Sequence, residues 1–201
     1  MSFLKNVDFG AILKKWWLSI LLIPFIYYHL HQAHLTLNYN IFFSISYSFP
    51  FPINIEKFLV RNFLLIIHEA GHTFLGVFGN RTLTILGGSL YEVILPAIIL
   101  AFFIFNRMIK SIQFGFYLLG SAWMSVAFYA ADGGSRQLPL IGGLGESAHD
   151  WGNLLTRWNL TEYDSHFGFA FAAIAALCYL AALATPLLFD IRKQKYIDLD
   201  L

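Results

Sequence analysis

Five stretches of about 20 mostly apolar residues, near 16–34, 58–78, 83–105, 112–131 and 166–189, set the terms for any fold of this chain. About 20 residues of helix cross the hydrocarbon core of a bilayer, so each stretch predicts a membrane span. The composition leaves no other home for them. Charged residues make up 12% of the chain and hydrophobic ones 58%, against roughly 25% charged in average soluble domains. With 21 Phe, 10 Tyr and 5 Trp in 201 residues, a soluble globule would not hide its apolar surface, and disorder lacks its polar signature. The expected fold is all-α: a polytopic transmembrane helical bundle of five spans, forming one domain over 1–201, in a multi-pass membrane protein.

The segment 35–56 fits this pattern poorly. It is rich in Phe, Ser, Tyr and Asn, carries Pro50 and Pro52, and alternates at Ile41, Phe43, Ile45 and Tyr47. That predicts a re-entrant or β-like loop, or a sixth crossing. Sidedness stays open at this level. Five alternating spans put Lys5, Lys14, Lys15, Arg81, Arg136 and Arg157 on one side. Lys57, Arg61, Arg107, Lys110, Arg192, Lys193 and Lys195 fall on the other, a near-even division under the positive-inside rule. Both termini are basic, which favours an even number of crossings. Trp16 and Trp17 beside Lys14 and Lys15 read as an interfacial belt. The charged start followed by an apolar run has no small-x-small cleavage site after it and is read as the first span.

A net charge of +1 with no Lys/Arg run longer than two gives no field for nucleic acid. The single cysteine, Cys178, excludes an internal disulfide and a Cys-rich metal site.

The second stretch contains His68-Glu69-Ala70-Gly71-His72. Residues four apart on a helix project from one face, so both imidazoles can share one ion, with Glu69 placed to take a proton from water at that ion. The pattern is expected by chance about 0.006 times in a chain with 7 His and this glutamate content. Ionisable groups inside a span cost at least ~2.5–3.5 kcal/mol and are functional by default. Gly71 and Gly76 allow a neighbouring helix to approach closely.

In these residues the chain resembles the site-2-protease-like family of intramembrane zinc metalloproteases. Members carry His-Glu-x-x-His in a membrane helix and a later Asp-Gly whose Asp is the third ligand. Here that motif would be Asp132-Gly133, in Ala131-Asp132-Gly133-Gly134. The Asn and Pro that usually precede it are missing. The resemblance implies a Zn²⁺ cofactor held by His68, His72 and Asp132, with Glu69 as the catalytic base.

The residues themselves offer rivals for the third ligand. His149 stands in the first turn of a short helix expected to reach about Asn159, where a neutral imidazole suits a metal. Asp150 is explained by the S-x-x-D capping relation with Ser147, although it remains an alternative ligand. Thr161 and Asp164 repeat that pattern. Glu92, within the third stretch, is either a ligand, a group holding a ligating imidazole, or a carboxylate satisfied by Ser89 or Tyr91. With alternating spans, His68, Glu92, Asp132 and His149 all fall in one half of the membrane, and His29, His31 and His34 form a polar rim on the opposite side. Gln137 to Gly143 reads as a wall or lid of the site, or as an ordinary turn. Gly168, Ala172 and Ala176 form a small-residue stripe for packing within the chain or in a homodimer.

The expected function is hydrolysis of peptide bonds in membrane-embedded protein or peptide substrates. A non-proteolytic metal transporter or sensor needs the histidines without Glu69; a hydrolase of lipid-like substrates needs both.

Overall fold

The computed structural model describes residues 9–41, 50–140 and 143–190, and the side chains as far as residue 187. Six α-helices follow one another: α1 Phe9–Tyr39, α2 Ile53–Gly76, α3 Arg81–Phe105, α4 Ile109–Ala131, the short α5 Asp150–Trp158 and α6 Asp164–Asp190. No strand occurs among the described residues. The β-like reading of 35–56 divides accordingly. Residues 35–39 end α1, residues 53–56 begin α2, and 42–49 lie outside the described residues.

Four helices are long and apolar enough to cross a membrane: α1, α3, α4 and the span Thr161–Leu187 that contains most of α6. These account for four of the five expected stretches; 58–78 falls short on hydropathy. The 58–78 stretch is helical as far as Gly76, within α2, but Arg61, Asn62, His68, Glu69 and His72 lower its hydropathy. The same residues that make α2 chemically interesting make it a poor span.

Side-chain contacts give the helix directions. Lys110 Nζ of α4 donates to Lys15 O of α1 at 2.7 Å, and Gln113 Nε2 donates to Ser19 Oγ at 2.6 Å. At the other end Gly168 of α6 leaves no room for a Cβ between Ala131 and Leu37. Helices α1 and α4 therefore run parallel. Tyr117 donates to Glu56 Oε1 at 2.5 Å and the Tyr129 ring lies 5.7 Å from that of His68, so α2 is parallel to them as well. Helices α3 and α6 run the other way, with Gly71 against Gly87, and Ser121 against Tyr179.

This arrangement overturns simple alternation. Because α1 and α2 point the same way, residues 40–52 join the α1 end nearest the His68 site to the far end of α2. The three N-terminal histidines are relocated too. His29 is buried against Glu56 Oε1 (3.3 Å) and Tyr117 instead of lining a rim, whereas His31 and His34 are exposed toward the His68 end.

Helix α4 is central, with 61% of its apolar window buried against 22–28% in the other three candidate spans. Leu22 and Ile26 of α1, Tyr117 and Met124 of α4, and Ala175 and Tyr179 of α6 make the main core. Small residues permit this closeness, since dispersion between well-packed helices replaces the missing hydrophobic drive in lipid. Gly168 of the small-residue stripe is thus occupied within the chain. A second cluster seats α5: Trp151 and Leu155 pack on Val126 and Ala130 of α4, with Phe167 and Phe171 of α6 alongside.

Candidate metal centre

Helix α2 presents His68 and His72 one turn apart, their rings 4.9 Å from centroid to centroid. Each imidazole is held from behind. His72 Nδ1 lies 2.8 Å from the Thr84 carbonyl oxygen, which only accepts, so Nδ1 carries the proton and the neutral ring keeps a lone pair on Nε2. His68 Nδ1 faces Glu92 Oε2 at 3.0 Å, which orients it in the same sense. Glu92 is thus the partner of an imidazole. Ser89 and Tyr91 do not satisfy it: Ser89 accepts from Trp151 Nε1 at 3.0 Å, and Tyr91 stacks on Phe74.

Both Nε2 atoms point at the carboxylate of Asp150, 3.1 Å from its Oδ2 in each case. With both Nε2 atoms unprotonated, two imidazole lone pairs and a carboxylate oxygen face one another, and a cation among them turns that repulsion into ligation. His68, His72 and Asp150 form the one group among the described residues whose three ligand atoms lie within 4.8 Å of one another. Ligands bonded at about 2.0–2.1 Å in a tetrahedral site stand about 3.3 Å apart, close to the spacing observed.

Helix α3 packs directly on the two imidazoles. A Cβ built on Gly88 would lie 2.6 Å from His72 Nε2 and closer still to His68 Nε2, so it would collide with both rings. Only glycine lets α3 approach them this closely. The crossing of α2 and α3 depends on glycine in the same way, because a Cβ on Gly87 would lie 2.6 Å from Gly71 O. The donor set and the oriented imidazoles fit a divalent metal.

Asp150 reaches this point as the first residue of α5, not through a capping box. The cap is His149, whose Nδ1 accepts from Gly152 N–H at 3.0 Å. Tyr129 of α4 braces Asp150 twice, accepting from its backbone N–H at 3.0 Å and donating to Oδ2 at 3.4 Å.

Asp132 and His149, both expected as ligands, are brought to each other instead, with His149 Nε2 3.1 Å from Asp132 Oδ2. Nδ1 of His149 is already engaged by Gly152, so Nε2 bears the proton and no lone pair remains for a metal. Asp132 is saturated in the same way. Oδ1 accepts from Ser135 Oγ (2.6 Å) and Gln137 N–H (2.7 Å); Oδ2 accepts from Leu138 N–H (2.8 Å) and His149. Burial pushes its carboxyl up, but these four donors prevail and keep it below the ordinary carboxylate range.

Glu69 is exposed, and its carboxylate makes no hydrogen bond among the described residues. Asp164 takes no part in the centre; it accepts from Gly134 N–H at 3.0 Å and Ser165 N–H at 2.5 Å. Sequence reasoning missed Gly88 and Tyr129. The Gly87-Gly88 pair inside an apolar helix was the available signal for the first, and nothing in the sequence marks the second.

Comparison with protein-family models, with curated proteins and with solved structures finds no match to this chain.

Proposed function

We propose that the protein is an intramembrane zinc metallopeptidase in which His68, His72 and Asp150 hold the metal and Glu69 is the general base. The observation that carries this reading is the convergence of the two Nε2 atoms and one carboxylate oxygen, all within 4.8 Å of one another. Two imidazoles and a carboxylate are an established protein ligand set for catalytic zinc. Bound zinc would supply Lewis acidity, polarising a carbonyl and making water acidic near neutral pH.

The remaining work falls to the chain. Glu92 and Thr84 O keep both Nε2 atoms turned inward. Glu69, adjacent to a ligand yet unengaged, is free to accept a proton and return it to a leaving amine. Substrates are membrane-embedded peptides, because the site lies among apolar helices, with α2 counted as a fifth, polar span. Such a peptide must offer its carbonyl in extended form, since a helix engages its own.

Orientation follows from the parallel helices. Helices α1 and α6 share an end, where Ser19 Oγ donates to Leu183 O. Lys14, Lys15, Arg107 and Lys110 lie there, and Arg192, Lys193 and Lys195 follow α6 in sequence; the metal end carries Arg81, Arg136 and Arg157. The positive-inside rule then makes the basic end cytoplasmic and opens the metal end to the other face. Labelling of Ser147→Cys by an impermeant reagent in sealed cells would agree; labelling only after lysis would reverse the assignment.

The functional test compares wild type with Glu69→Gln. The variant should keep about one zinc per chain and lose hydrolysis of a membrane-embedded peptide by about 10²–10⁴-fold. Full metal-dependent activity without the Glu69 carboxylate would favour transport or sensing. Cleavage of an acyl ester but of no peptide would favour a lipid hydrolase.

A further inference from the structure

Asp132 and His149 are entirely buried and fully hydrogen-bonded, yet neither reaches the metal centre. A turn of chain needs nothing so polar to close it. Burying a carboxylate is costly unless donors surround it, and here four do. What the pair joins is specific: the last turn of α4 and the residue immediately before the ligand Asp150.

We propose that Asp132 and His149 are positioning residues, a buried clasp that fixes the first turn of α5 and so aims Asp150 at His68 and His72. The inference rests on the metal-site reading above. His149 has two partners in different elements. Its Nε2–H donates to Asp132 at the end of α4, while its Nδ1 caps α5 through Gly152. The ring therefore sets how α5 starts relative to α4. Tyr129, one turn before Asp132, grips the next residue through the Asp150 backbone and carboxylate.

The two glycines after Asp132 complete the corner. A Cβ on Gly133 would lie 2.7 Å from Leu155 Cδ1, and one on Gly134 would lie 2.7 Å from Asp164 Oδ2. Asp132-Gly133-Gly134 thus serves as a docking corner for α5 and α6 and delivers a carboxylate from elsewhere to the centre. Without the clasp, Trp151 and Leu155 still hold α5 against α4 by apolar contact. Such contact restrains separation but leaves rotation about the helix axis soft, and each residue of register turns a side chain by about 100°.

The test uses full-length protein in detergent, with His149→Asn and Asp132→Asn as variants. Asparagine at 149 retains a cap for α5 but is too short to reach Asp132, which separates clasping from folding. Zinc affinity is read by chelator competition, the ligand field by the visible spectrum of the cobalt-substituted protein, and folding by Tm. Both variants should remain folded, bind zinc about 10–100-fold more weakly than wild type, and shift the cobalt bands toward those of Asp150→Ala. Wild-type affinity and an unchanged cobalt spectrum in folded His149→Asn would overturn the clasp and leave the metal site standing. A wild type that binds neither metal would overturn the metal site and the clasp together.

Discussion

The two Asp–His sets of this molecule, built from the same residue types and meeting at consecutive positions of the chain, are opposite in kind. In one, Asp132 and His149 answer each other: every lone pair has a donor and every N–H an acceptor. In the other, His68 and His72 are tied at Nδ1 and turned so that both Nε2 atoms face the Asp150 carboxylate. The first set is closed and stabilises a corner. The second is a convergence of acceptors that calls for a cation. Residue type alone does not mark a metal ligand; a lone pair left available by the surrounding hydrogen bonds does.

The contrast breaks most severely at Gly88. Gly88→Ala drives a methyl group into both imidazole rings and turns them out of place, so stoichiometric zinc should be lost, as measured by metal content after gel filtration. An alanine variant with full zinc occupancy would mean that the ion does not depend on these two imidazoles as placed. Glu92→Gln acts one step back. It removes the carboxylate that orients His68, and zinc affinity should fall about 10–100-fold while the fold persists. An unaltered affinity would reduce Glu92 to a satisfied core carboxylate.

The smallest effect is expected on the closed side. Ser135→Ala removes one of four donors to Asp132 and should cost about 1 kcal/mol of stability, with zinc affinity unchanged in the same titration. Loss of metal from that variant would show the two sets to be more tightly coupled than one clasp allows.

Much of this was legible in the sequence, for physical reasons that differ from place to place. Apolar runs of about 20 residues marked helices because only a helix satisfies its backbone in lipid. His68 and His72 were legible because their relation lies within one turn of one helix. Asp150 ranked low in the sequence because a capping carboxylate and a carboxylate turned toward two imidazoles look alike locally, and its partner His68 stands 82 residues away. His149 was misread for the converse reason: its cap to Gly152 and its bond to Asp132 use up the nitrogens that its position seemed to offer. The direction of α1 was hidden as well, since hydropathy shows that a helix crosses but not which way it points.

The measurement that bears most directly on the central claim is crystallographic: a zinc-edge anomalous difference map of the purified protein in lipid. The account predicts one peak within bonding distance of His68 Nε2, His72 Nε2 and an Asp150 carboxylate oxygen. A peak bonded to Asp132 or His149, with Asp150 turned away, would contradict it.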